Sequence, residues 1–191
     1  MKTSQTDILI LPGLGGGGPD YWYERWSAKL KTARRIEQPD WDNPDRSVWL
    51  GNIEKKIFEA ERPVILIGHS LGVIAAVHAA TSLPKSVTSK VMGGYFVAPP
   101  DMARAPETLP EIAVFAPVPE DPLPFPSVLV ASRDDPYCSH EKAEDYSYAW
   151  GARFESAGES GHINADSGQG PWPEGLLSFA QFMSTLGPSD A

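Results

Sequence analysis

A serine between two glycines, Gly68-His69-Ser70-Leu71-Gly72, stands where an apolar strand pattern gives way to a helical one, and no other stretch constrains the fold as much. Upstream, Arg62-Pro63-Val64-Ile65-Leu66-Ile67 is a short run rich in β-branched residues, the pattern of a strand buried on both faces of a parallel sheet. Downstream, Leu71 to Leu83 carries Ala75, Ala76, Ala79 and Ala80 and stops just before Pro84. A serine on a sharp strand-to-helix turn projects its Oγ clear of the backbone, and flanking glycines let strand and helix approach without side-chain clash. The pentapeptide by itself should arise by accident in about one chain of this length in twenty. Strand, turn and helix in this order make it informative.

The rest of the chain alternates in the same way. Ile8 to Leu11 reads as a strand, Tyr21 to Ala33 as a helix, Arg34 to Gln38 as a weaker strand and Ser47 to Ala60 as a helix. In that helix Val48, Ile53, Ile57 and Ala60 form the expected apolar face, with Glu54, Lys55, Lys56 and Glu59 opposite. Lys90 to Met92 and Tyr95 to Ala98 read as another strand, Ser127 to Ser132 as a fifth and Arg153 to Ser156 as a short last one. Ser139 to Trp150 reads as a helix capped by Ser139, and Pro173 to Leu186 as a closing helix. Alternation of this kind predicts a single α/β domain with a doubly wound, mostly parallel sheet of about six strands and right-handed crossovers. Sites in such sheets form beyond the carboxyl ends of the strands. Gly13 to Gly18, Ser70, Asp134 to Asp135 and His162 all follow an expected strand end.

A serine hydroxyl needs a base to take its proton, and the base needs a carboxylate to orient it. Of four histidines, His69 adjoins the serine and is expected to point away. His78 and His140 lie within expected helices. His162, in Ser160-Gly161-His162-Ile163-Asn164 between the last strand and the last helix, is best placed as the base. Asp134 and Asp135 both follow the penultimate strand. Asp135 is favoured because Pro136 fixes the turn that aims it at His162, leaving Asp134 to cap or solvate the loop. The chain order serine, aspartate, histidine is that of α/β-hydrolases. An oxyanion hole is then expected from the N–H groups of Leu71 and Leu14, the latter in a glycine-rich loop.

That same loop, Gly13-Leu14-Gly15-Gly16-Gly17-Gly18, also satisfies the dinucleotide fingerprint G-x-G-x-x-G, with Glu37 near the end of the next strand. Against this, Pro19 and Asp20 separate its last glycine from the helix, and Ser70, Asp135 and His162 are left unexplained.

Four segments in order resemble the retinoblastoma-binding-protein-nine-like serine hydrolases, especially their bacterial members. They are Leu11-Pro12-Gly13-Leu14-Gly15, the pentapeptide around Ser70, Ala131 to Tyr137, and Gly161 to Ala165 with Gly170 to Gly175. The likeness runs from Ile8 to Leu186. It implies a compact α/β-hydrolase without a large cap and without the first antiparallel strands of larger hydrolases. It also implies a nucleophile at Ser70, an acid at Asp135 and a base at His162. It supplies no physiological substrate. The namesake's retinoblastoma-binding segment, Leu-x-Cys-x-Glu, has no counterpart, since the only cysteine lies in Pro136-Tyr137-Cys138-Ser139-His140.

Composition narrows the partners. A formal net charge of −9 argues against nucleic acid and anionic membranes. One cysteine excludes an internal disulfide, and Ile8 to Leu11 is too short an apolar run for a signal peptide or membrane span, so the expected compartment is the cytoplasm. No His, Cys and carboxylate cluster has ligand spacing, so neither metal nor other cofactor is expected. Cys138 reads as an inert buried thiol. Pro99 to Pro126 holds nine of the nineteen prolines and is expected to be a rigid rim or a plain surface connection. Trp22, Trp26, Trp41 and Trp172 fall near the expected site; a tryptophan is more often a core residue than a ligand contact, and Trp22 and Trp172 are the candidates for lining an apolar substrate cleft. The expected substrate is a small or medium acyl ester or an activated amide. The alternative is a hydrolase-shaped module whose work is binding a protein partner of unknown identity.

Overall fold

The computed structural model describes residues 2–187. Six strands form one sheet: β1 (Asp7–Leu11), β2 (Ala33–Arg35), β3 (Val64–His69), β4 (Val91–Val97), β5 (Ser127–Ala131) and β6 (Arg153–Ser156). Their spatial order is β2-β1-β3-β4-β5-β6, with every neighbouring pair parallel. Helices α1 (Trp22–Lys29), α2 (Arg46–Glu59), α3 (Leu71–Ser82), α4 (Lys85–Thr88), α5 (Ala105–Thr108), α6 (His140–Trp150) and α7 (Pro173–Thr185) make the crossovers and connections. Among the described residues no helix is long and apolar enough to cross a membrane.

The strands are apolar on both faces, and their period of two divides them between two cores. Leu9, Leu11 and Leu66 face one layer, with Ile53, Ile57, Ile74, Tyr146 and Trp150. Ile8, Ile10, Ile65 and Ile67 face the other, with Trp22, Trp26, Phe179 and Phe182. A buried carboxylate fixes the start of β1. Asp7 accepts from the Glu61 and Arg62 amides at 3.1 and 3.0 Å and from the Arg62 guanidinium at 3.2 Å.

Three local expectations change. The first helix ends at Lys29, and Ala33 opens β2, which ends at Arg35 instead of Gln38. On α2 the inward residues are Trp49, Ile53 and Ile57, while Val48 is 43% exposed, because Trp49 at i−4 from Ile53 stacks on that face and Val48 does not. As expected, the two pieces around Gly93 and Gly94 form one strand. A Cβ on Gly93 would lie 2.8 Å from the Phe182 ring, so the glycine admits α7 against the sheet. The proline-rich segment is more than a surface connection. It contains α5 and a 3₁₀ turn, Pro110–Phe115, and buries Ile112, Phe115 and Phe125 in the core.

Candidate active site

β3 delivers Ser70 to a turn that ordinary residues avoid. Its φ of 54° and ψ of −125° carry a strain of about 1–3 kcal/mol, sustained by the packing on either side. A Cβ on Gly72 would sit 1.9 Å from the Leu11 carbonyl oxygen, and one on Gly68 2.9 Å from the Val73 backbone. The loop after β1 presses on the serine from above, where a Cβ on Gly13 would be 2.7 Å from the Ser70 Cβ and 3.2 Å from its Oγ. That glycine loop therefore serves the serine, and α1 begins only at Trp22 after Pro19 and Asp20, which is not how a dinucleotide fingerprint opens its helix.

His162 arrives on the loop between β6 and α7. Its Nδ1 meets both carboxylate oxygens of Asp135, at 3.0 and 2.9 Å, with both side chains nearly buried. A proton on Nδ1 is thereby fixed, and Nε2 is left as the basic nitrogen. Asp134, the competing carboxylate, makes other bonds. It accepts from Ser132 Oγ at 2.6 Å and from the Gly161 amide at 2.8 Å, which ties the loop after β5 to the histidine loop. Those hydrogen bonds hold the Asp134 carboxyl below its ordinary range. Ile163, next to His162, adopts φ 48° while wholly buried, and its carbonyl accepts from Trp22 Nε1 at 2.9 Å.

His69 lines the same cleft and braces the histidine loop. Its Nε2 contacts the His162 carbonyl oxygen at 2.9 Å, so the nitrogen is a donor. Burial, and next the neighbouring His162, push its pKa down to about 3, so the ring is neutral.

One cleft of about 200 Å³ collects Gly13, Leu14, Ser70 and His162. Among the described residues no hydrogen bond joins Ser70 Oγ to the imidazole. In unliganded sites such contacts are often long and tighten only around substrate. Leu71 is the first residue of α3, where N–H groups have no intrahelical partner, and Leu14 lines the cleft itself. The arrangement therefore offers a hydroxyl, an oriented base and backbone donors around one space.

The two tryptophans assigned to the cleft are not in it. Trp22 has no exposed surface, because its indole packs between Tyr23, Trp26 and Trp172 and its N–H is spent on Ile163. Trp172 is 4% exposed and borders a different hollow, of about 410 Å³, with Tyr95, Glu155 and Ser178. Phenols and polar side chains take their place: Tyr21, Tyr23, Tyr137, Asn164 and Asp166, together with Leu109 from the proline-rich segment. Tyr137 and Asn164 each stand two residues beyond Asp135 and His162, so the same loops that present the acid and base were the available signal for them. Cys138 is buried, and burial pushes its thiol up to about 12, which leaves it unreactive.

Known proteins can now be set beside this geometry. Residues 8–181 match the sequence profile of the serine hydrolase family. Among solved structures, a protein of Pectobacterium atrosepticum described as a YdeN-like hydrolase is 31% identical, covers 97% of this chain and 95% of its own, and superposes with a TM-score of 0.86. The ydeN product of Bacillus subtilis is 16% identical over 94% of this chain and 99% of its own, with a TM-score of 0.75. A thermophilic esterase of Thermogutta terrifontis is 13% identical over 100% of this chain and 87% of its own, with a TM-score of 0.68. The last two speak for the fold alone. No curated protein matches the sequence. An α/β-hydrolase sheet, a strained serine elbow and a profile match across nearly the whole length agree, and the chain belongs to the serine hydrolase family.

Proposed function

We propose that this hydrolase cleaves small or medium acyl esters in the manner of a carboxylesterase, through an acyl-enzyme on Ser70. The single observation that carries the reading is the His162 imidazole held through Nδ1 by both oxygens of Asp135, in the cleft that Ser70 also lines. In this reading Nε2 takes the Ser70 proton as Oγ attacks the ester carbonyl. The C–O bond to the alcohol then breaks, and the alcohol leaves with that proton. Water attacks the acyl-enzyme by the same route, returning the free acid and the serine. The Leu71 and Leu14 amides receive the developing oxyanion, and Gly13 is what lets the Leu14 loop come close enough to do so. The 200 Å³ cleft favours short acyl chains or slender alcohols.

A fluorophosphonate probe tests this directly. Stoichiometric modification at Ser70, lost in Ser70→Ala, with turnover on a panel of esters of graded acyl length, is the expected result. No labelling removes the reading. Labelling without turnover on any ester would transfer support to a hydrolase-shaped module that binds a protein partner.

A further inference from the structure

The walls of the cleft are chemically one-sided. No Lys or Arg is among the residues that line it, whereas Asp166 and the phenols of Tyr21, Tyr23 and Tyr137 are. Arg104 and Arg133 border a different hollow, together with Asp135, His140 and Glu141. Asp166 is exposed, and among the described residues its carboxylate has no hydrogen-bond or ion-pair partner. Tyr21 and Tyr137 line the same cleft. The Tyr21 phenol is held above its ordinary range by burial first, then by the charge of Asp166, then by Tyr137. Aromatic faces beside a free carboxylate are the standard chemistry for holding an organic ammonium ion.

The position of these groups says which part of a substrate they meet. Asn164 and Asp166 follow His162 on its own loop, and the Tyr137 ring packs edge-on against the imidazole with centroids 4.6 Å apart. The imidazole hands its proton to the departing alcohol, so the alcohol leaves on this side of the cleft. In the proposed mechanism the oxyanion sits against the Leu14 and Leu71 amides.

We propose that Asp166, with Tyr21 and Tyr137, makes the alcohol side of this cleft a subsite for cationic amino alcohols, so that their esters are preferred over neutral isosteres and anionic ones are rejected. The inference rests on the proposed esterase reading and deepens it. Because Asp166 is open to water, its pull is screened by salt.

Three thioacetates matched in size test it: the 2-(trimethylammonio)ethyl ester, the neutral 3,3-dimethylbutyl ester and the anionic 2-carboxyethyl ester. At low ionic strength kcat/KM should fall in that order, with the cationic ester ahead of the neutral one by about five-fold. In Asp166→Asn the ratio should collapse toward one, and about 0.5 M salt should shrink it in the unmodified enzyme. A ratio of one or less, or a ratio unchanged by Asp166→Asn, overturns the proposal while leaving the esterase reading intact. If no thioacetate is turned over, fluorophosphonate labelling and the graded acyl panel decide the esterase reading, and NMR titration of the Ser70→Ala protein with choline decides the subsite. Saturable shifts of the Tyr21 and Tyr137 resonances with choline, absent with 3,3-dimethylbutanol, support it; their absence overturns it.

Discussion

The serine elbow and the histidine loop meet at one cleft but are held there by different means. At the elbow the restraint is exclusion. Backbone lies against backbone so closely that positions 68 and 72 admit no Cβ, and Ser70 is forced into its strained turn by what surrounds it. In the histidine loop the restraint is a set of directed polar contacts. The Gly161 amide is bound by Asp134, the Ser160 amide by Ser132 Oγ at 2.9 Å, the His162 carbonyl by His69 and the Ile163 carbonyl by Trp22. Steric exclusion rises steeply with displacement, whereas hydrogen bonds yield one at a time. The elbow should therefore fail all at once, and the loop by degrees.

Gly72→Ala is the hardest test of that contrast. Its Cβ would meet the Leu11 carbonyl at 1.9 Å, with backbone on both sides, so β1 and α3 must separate. A loss of several kcal/mol is expected, read as a failure to fold or a collapse of the denaturation midpoint. A normal midpoint would break the comparison.

Acid should weaken the loop next. His69 keeps a folded-state pKa of about 3, below the value near 6.5 expected in an unfolded chain. Between those values the unfolded chain takes up a proton that the folded one refuses. The contribution is thus complete above about pH 6.5 and is lost as pH falls toward 3, by up to a few kcal/mol. Urea unfolding at stepped pH should show this slope, and His69→Gln, which keeps a donor toward the His162 carbonyl but does not titrate, should flatten it. Equal slopes in both proteins would deny His69 the role.

Trp22→Phe retains most of the ring packing and deletes the bond to Ile163, leaving a buried carbonyl unpaired. A cost of about 1–2 kcal/mol is expected from chemical denaturation, with a larger relative fall in hydrolase kcat than in the affinity of the site. The smallest effect belongs to Asp134→Ala. It frees the Gly161 amide without touching Asp135 or His162, and kcat should drop roughly ten-fold with KM little changed. If kcat fell as far as in Asp135→Asn, the division of labour between the two aspartates would be wrong.

The same contrast separates what was readable in the chain from what was not. The elbow is contiguous: strand, turn and helix lie between Val64 and Ser82, and the glycines that exclusion requires are visible as letters. Pro136 favours Asp135 over Asp134, and the structure sets Asp135 on His162. The second role of Asp134, clamping Gly161, spans 27 residues and leaves no local mark. The tryptophans show the opposite failure. Proximity to site loops in the chain suggested a cleft lining, but an indole buries so much apolar surface that core packing claimed Trp22 and nearly all of Trp172.

By itself, then, the sequence determined the parallel α/β architecture, because strand and helix periodicities are local and the apolar runs demand burial on two faces. It also marked the serine, whose turn only glycine neighbours tolerate. The tertiary structure alone decided which side chains line the cleft and which charge it presents. Those depend on how loops far apart in the chain are folded over one sheet edge, and side-chain contacts across such distances follow from packing, for which no short pattern exists.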